Sequence, residues 1–102
     1  MSDLTAAIAK AEQMLDDLYK LDDASGHPPD LLTQIEAATS ALEALRGEEV
    51  EADQATIDRL NAQLDSVSQS VSDALADLSK IANVINQVAG VVGILQGIAG
   101  LV

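Results

Sequence analysis

The chain has 102 residues, no cysteine and a single aromatic residue, a tyrosine. The lack of cysteine excludes disulfides and thiolate metal sites, and the lack of Phe and Trp removes the usual platforms for stacking bases, sugars or flat cofactors. Seventeen acidic and five basic residues give a net charge of −12, which repels nucleic acid and anionic lipid headgroups. We therefore expect no nucleic-acid partner.

The first predicted helix runs from about Asp3 to Asp23. Its apolar residues recur every three or four positions, the period of an amphipathic helix; they are Leu4, Ile8, Ala11, Leu15 and Leu18, with Ala7, Met14 and Leu21 widening the stripe. The segment Ala24-Ser25-Gly26-His27-Pro28-Pro29 ends the helix, because proline removes a backbone donor and restricts the residue before it.

The second predicted helix begins at Pro28 and Pro29, since proline suits a first helical turn, and Asp30 lies favourably near the positive end of the helix dipole. Gly47, one residue after Arg46, marks its end. Its apolar positions are Leu31, Leu32, Ile35, Ala38, Leu42 and Leu45. Two helices joined by so short a loop are typical of an antiparallel hairpin.

A third helix is indicated by the longest pattern in the chain, in which apolar residues alternate spacings of three and four without a miss. They are Ile57, Leu60, Leu64, Val67, Val71, Ala74, Leu78, Ile81, Ile85, Val88, Val92, Leu95, Ala99 and Val102. This heptad repeat predicts one long helix after the acidic connector 48–53. The predicted fold class is all-α, a helical hairpin followed by a long heptad-repeat helix, as an oligomeric three-helix bundle or coiled coil.

Charge divides the same chain into three parts. Residues 1–53 carry thirteen acidic and three basic side chains, residues 54–80 carry four and two, and residues 81–102 carry none. We interpret these parts as an acidic helical hairpin, an amphipathic helix that packs on it, and an uncharged, glycine-striped apolar tail, together one structural domain with a tail. No signal peptide is expected, because the start lacks a basic region followed by an apolar core.

The apolar tail requires a surface to cover it. Residues 81–102 contain eleven Val, Leu and Ile side chains, each stabilising by about 1.5–3 kcal/mol when buried. At about 1.5 Å per residue an unbroken third helix would measure roughly 75 Å, against roughly 30 Å for the hairpin. If residues 57–80 pack against the hairpin, residues 81–102 leave roughly 30 Å of apolar helix without a partner. One way to cover this surface is a tail that bends at Gly90 and folds back on its own bundle.

Assembly with other helices is the first interpretation of the tail. Its glycines form a stripe of small residues that permits close approach between helices, as in Gly93-Ile94-Leu95-Gln96-Gly97. The predicted partners are further copies of the chain or other helical proteins. The predicted interface comprises Ile81, Ile85, Val88, Val92, Leu95, Gly90, Gly93, Gly97 and Gly100.

Membrane insertion is the second interpretation, because 22 residues without a charge are long enough to span a bilayer as an anchor or a pore-forming helix. Against it stand four helix-weakening glycines, one basic flanking residue, Lys80, and four amide side chains, Asn83, Asn86, Gln87 and Gln96. The sequence leaves the location open between the cytoplasm, a larger assembly and a membrane.

No catalytic, cofactor or metal site is predicted. His27 is the only histidine and occupies a Gly-His-Pro-Pro turn, without a recognisable nucleophile or ligand partner in the sequence. The carboxylates at 16–17, 22–23 and 48–53 lack the spacing of a calcium-binding loop, and we interpret them as solvated acidic surface. The sequence therefore favours a non-enzymatic protein.

Overall fold

A computed structural model describes residues 3–46 and 52–100. Within these ranges the chain is 91% helical and contains no strand, which confirms the all-α prediction. The four α-helices are α1 (Asp3–Ser25), α2 (Pro29–Leu45), α3 (Gln54–Ala76) and α4 (Ile81–Ala99), and a single 3₁₀ turn, Leu78–Lys80, separates the last two.

The turn between α1 and α2 lies where the sequence predicts it. Gly26 adopts a left-handed backbone conformation with φ of 79°, and the His27 N–H donates to the Asp22 carbonyl at 3.0 Å. This is the bond of a Schellman C-cap, which glycine favours because it has no Cβ. Pro28 precedes the first residue of α2, and the Leu32 N–H donates to the Pro28 carbonyl at 3.1 Å.

The third helix begins at an N-cap. The Asp53 carboxylate accepts a hydrogen bond from the Thr56 N–H at 2.8 Å, which satisfies one of the donors that a helix start leaves free. Hydrogen bonds from Thr56 lower the pKa of Asp53. Gly47, the acidic connector as far as Glu51, and Val102 at the end of the heptad repeat lie outside the described residues.

The prediction of one unbroken third helix is wrong, because the helix ends at Ala76. Asp77 has an extended backbone (φ −147°, ψ 99°), and its carboxylate accepts hydrogen bonds from the Ser79 N–H at 3.1 Å and the Ser79 hydroxyl at 2.7 Å. The chain then reverses into α4, which runs continuously through Gly90. The sequence signal for the break is an Asp two residues before a Ser, an arrangement that favours local capping over continued helix.

The four helices form one bundle in which α1 packs against α2 and α3, and α4 packs against the same two helices. Lys10 of α1 pairs with Asp65 of α3 at 3.0 Å, and further along, Lys20 and Leu75 line one shallow depression, so α1 and α3 run parallel. The short turns make α2 antiparallel to α1 and α4 antiparallel to α3. Helices α2 and α3 therefore lie diagonally opposite one another in the bundle.

The core is formed by one face of each helix. All six apolar repeat positions of α3 are buried, as the heptad pattern predicts. In α4 the buried face is rotated toward other positions; its residues are Val84, Val88, Val91, Val92, Leu95 and Ile98. The repeat positions Ile81 and Ile85 are half-buried and Leu78 is exposed. The break at Asp77 thus changes which side of the following helix faces the core.

The apolar tail is not left over beyond a hairpin. As far as residue 100 it is the fourth helix of the bundle, and the molecule measures 38 × 21 × 19 Å, well short of the roughly 75 Å expected for a straight third helix. Six side chains of α4 lie in the shared core, and their burial contributes on the order of 10 kcal/mol. Intramolecular packing therefore supplies the apolar surface that the tail requires.

We predict that Leu95→Ala lowers the free energy of unfolding by about 2–5 kcal/mol, because Leu95 is fully buried and truncation leaves a cavity. Urea unfolding followed by circular dichroism measures the change. Leu32→Ala serves as a control, since Leu32 is 40% exposed and its truncation should cost less than about 1 kcal/mol. Equal effects of the two substitutions would contradict packing of α4 in the core.

Candidate interface on the fourth helix

The outward face of α4 carries no charged residue. Its exposed residues are Ala82, Asn83, Asn86, Ala89, Gly90, Gly93, Gln96, Gly97 and Gly100, which we call the glycine face. The other three helices expose charged side chains, as is usual for an amphipathic helix in water; examples are Glu12, Glu36 and Asp65. In a chain of net charge −12, this face is the surface of the bundle where two acidic molecules approach with the least repulsion.

Two glycines of this face have open space around them. Among the described residues, a Cβ placed on Gly93 or Gly97 would meet no atom outside its own helix within 4 Å, so their packing does not require glycine at either position. Each glycine in a helix interior costs about 1 kcal/mol relative to alanine. Packing among the described residues therefore gives no reason for glycine at these two positions.

Gly90 differs from these two glycines because it lies beneath a side chain of α3. A Cβ on Gly90 would lie 2.9 Å from Gln63 Nε2. The same Nε2 donates to the Gln87 carbonyl at 2.9 Å and to Gln87 Oε1 at 2.7 Å. Gly90 thus allows the Gln63 amide to cross onto α4, which ties α3 to α4 with a polar contact beside the apolar core.

A groove runs beside the glycine face, between the start of α3 and the end of α4. Its volume is about 320 Å³, and it is lined by Ala52, Asp53, Thr56, Arg59, Gly93, Ile94, Gly97 and Ile98. Because Gly93 and Gly97 form one wall, their missing side chains make the groove wider. Arg59 supplies the positive charge in it and Asp53 the negative one.

The structure divides the predicted interface residues into three groups. Val88, Val92 and Leu95 are buried in the core of their own chain, so they are inaccessible to a second molecule while the bundle is closed. Ile81 and Ile85 are half-buried. The predicted glycines, Gly90, Gly93, Gly97 and Gly100, are all exposed on one side of α4. Their role in an interface stays a prediction.

A cluster that the sequence interpretation missed lies at the end of α1. His27 Nδ1 is 2.6 Å from Asp22 Oδ2, and Asp23 also contributes a carboxylate oxygen to a group of three ligand-type atoms within 4.8 Å of one another. Asp22 is buried, and its Oδ1 has no hydrogen-bond partner. The Asp22 contact raises the pKa of His27, whose side chain is mostly exposed. The signal in the sequence is an Asp five residues before the His, across a glycine C-cap.

A cavity between helices lies between α1 and α3. It has a volume of about 140 Å³ and is lined in part by Lys10, Met14 and Val71. Pockets that bind small molecules usually measure about 300–1,000 Å³. This cavity is therefore too small for most metabolites.

The segment Leu78–Ala99 is the one stretch within the described residues that is long and apolar enough to cross a membrane, with a mean hydropathy of 1.5. A third of its most apolar window is buried inside the bundle. Core helices of soluble proteins share this length and composition, so these two properties are weak evidence for insertion.

No protein-family model matches the chain, and neither the curated proteins nor the solved structures compared with it contain a match. Any functional assignment therefore depends on the geometry described above.

We predict that Gly93→Ala and Gly97→Ala each raise the free energy of unfolding of the monomer, by up to about 1 kcal/mol, because alanine favours helix and its Cβ enters open space. Gly90→Ala should stabilise less, since its Cβ displaces Gln63 from Gln87. Urea unfolding at micromolar protein concentration tests whether the three substitutions rank in this order of stabilisation. Destabilisation by the first two substitutions would show that their surroundings are already filled.

We predict that the contact between His27 and Asp22 weakens as the pH rises. The folded-state pKa of His27 lies above 6.5, so the stabilisation is fully present below pH 6.5 and is lost as the pH rises through that raised pKa. His27→Asn is the control, because Asn tolerates the left-handed backbone at this position (φ 61°). The wild type should unfold at a higher urea concentration than His27→Asn, and this difference should shrink with rising pH. In Asp22→Asn, the imidazole pKa measured by NMR should fall. An unchanged imidazole pKa in that variant would contradict the assignment.

Proposed function

We propose that this protein is a non-enzymatic assembly module that binds a second copy of itself through the glycine face of α4. The observation that carries the proposal is the pair Gly93 and Gly97, which are exposed, helical and next to open space. Glycine at such positions weakens the helix and gains nothing from internal packing. Close contact with another helix supplies the compensating gain, because the missing side chains let two backbones approach.

The absence of charge on the glycine face supports a second copy as the partner. The chain carries a net charge of −12, so two copies repel one another over most of their surfaces. The glycine face carries no charge and presents amides, Asn83 and Asn86, that hydrogen-bond equally well with themselves across a symmetric contact. A different helical protein with an uncharged face is the other partner that this surface would accept.

The proposed contact between copies uses other residues than the contact that the sequence first suggested. Val88, Val92 and Leu95 face the core of their own chain, so the proposed contact consists of the glycines with the flanking Ala and Asn residues rather than a shared apolar core. The acidic helices α1 and α2 would keep the assembly soluble. Location in the cytoplasm or in a larger assembly is part of this proposal.

Membrane association through residues 81–102 is the second candidate function. The apolar segment Leu78–Ala99 favours it, as does the absence of charge on both faces of α4. Insertion would require α4 to leave the core, and six buried side chains oppose that step. The second candidate therefore demands opening of the bundle, whereas docking on the glycine face does not.

The test is sedimentation of the intact chain and of the double variant Gly93→Leu/Gly97→Leu. A Cβ at either position meets open space, and both positions line the groove of about 320 Å³, so the fold should persist while close approach is blocked. We expect self-association to weaken by at least about tenfold, equivalent to ~1.4 kcal/mol. Ala62→Leu, on the exposed face of α3, is the matched control for added apolar surface.

Flotation with neutral liposomes separates the two candidate functions. The double leucine variant makes α4 more apolar, so a membrane-inserting protein would float as well as or better than the wild type. A monomeric wild type that floats would overturn the assembly proposal. Truncation at Ala82 is a poor test, because it removes six core side chains together with the glycine face.

A further inference from the structure

The reversal between α3 and α4 consists of Asp77, Leu78, Ser79 and Lys80, and it contains neither glycine nor proline. None of these residues has a positive φ, and Asp77 is the one with an extended backbone. The bend is held locally by an exposed carboxylate, which accepts from the Ser79 N–H and hydroxyl. All four residues can join a continuous helix without backbone strain.

The apolar spacing of the sequence continues through this bend without a change of phase, in Val71, Ala74, Leu78, Ile81 and Ile85. The bent form buries these positions incompletely. Leu78 is 44% exposed, Ile81 and Ile85 are half-buried, and the neighbouring Leu75 is 47% exposed. The apolar residues left partly in water are therefore those around the point where a straight helix would continue.

Straightening the bend would carry α4 away from α2 and α3 of its own chain. The uncovered surface then fits one occupant better than any other, the α4 of a second copy, which carries the same buried face. Each copy would regain every contact that α4 makes in the closed monomer. Leu75 and Leu78 of the two chains would meet where the straightened helices cross, which removes apolar surface from water.

We propose that two copies of this chain exchange α4. In the exchanged dimer residues 77–80 become helical, α3 and α4 join into one helix over 54–99, and α4 of each copy packs against α2 and α3 of the other. This exchange is independent of docking on the glycine face, which is exposed in both the closed and the exchanged form. The two proposals therefore fail separately.

The chain has no cysteine, which allows spin labels at two introduced sites, Ala62→Cys and Ala89→Cys. Both residues are exposed, and they lie on neighbouring helices near the contact of Gln63 with Gly90. In the closed form the labels should be roughly 10–20 Å apart, given the spacing of packed helices. In a continuous helix the 27 intervening steps place them about 40 Å apart.

The doubly labelled chain is unfolded in urea with an excess of unlabelled chain, refolded at millimolar concentration and separated by size. We expect the dimer fraction to give the long distance and the monomer fraction the short one. A dimer that keeps the short distance would overturn the exchange. Refolding that yields no dimer at all would overturn it too.

Two substitutions at the bend should change the dimer in opposite directions. Leu78→Pro suits the bent form, because Asp77 before it is extended and proline fits a first helical turn, but it breaks a continuous helix. We expect it to abolish the long-distance dimer. Leu78→Ala is its control, since it removes the same side chain without fixing the backbone.

Asp77→Ala removes the hydrogen bonds that hold the bend. We expect it to raise the association constant of the exchanged dimer roughly 30-fold, the effect of losing one helix cap in each of the two chains. Gly93→Leu/Gly97→Leu should leave the long-distance dimer unchanged. Equal dimerisation of Leu78→Pro and Leu78→Ala, or no increase in Asp77→Ala, would contradict the proposal.

Discussion

Burial of the apolar face of α4 against α2 and α3 is the interaction on which the rest of the structure depends. The hairpin of α1 and α2 offers a surface that α3 alone only partly covers, and α4 contributes six buried side chains to the shared core. That gain outweighs the few hydrogen bonds, each about 1 kcal/mol net, that a helix loses when it is interrupted. The chain bends at Asp77 because the bend brings this face back onto its own bundle.

Periodicity predicted the local structure well and the path of the chain poorly. The end of α1 and the start of α2 followed from Gly26, Pro28 and Pro29, whose backbone restrictions act whatever surrounds them. The heptad spacing predicted every buried position of α3. It could not predict the reversal at Asp77. A spacing of three and four records which side of a helix is apolar, but not which other helix covers that side.

The candidate site was predictable where it depends on residue type and unpredictable where it depends on orientation. The sequence alone placed Gly93 and Gly97 on a side of the helix opposite the apolar stripe, and both are exposed. It could not assign Val88 and Leu95 to the core of the same chain, since that follows from the reversal of the chain at Asp77, which returns α4 to its own bundle. The contact of His27 with Asp22 likewise arises from the three-dimensional course of a left-handed turn.

The division of the bundle into two sequential helix pairs has a consequence for the order of folding. Each of the pairs α1/α2 and α3/α4 is joined by a short turn, so either hairpin closes at low entropic cost. The contacts between the pairs join distant parts of the chain, as Lys10 and Asp65 do across 55 positions. Contacts of such separation form slowly. The chain should therefore fold as two fast hairpins whose face-to-face docking sets the overall rate.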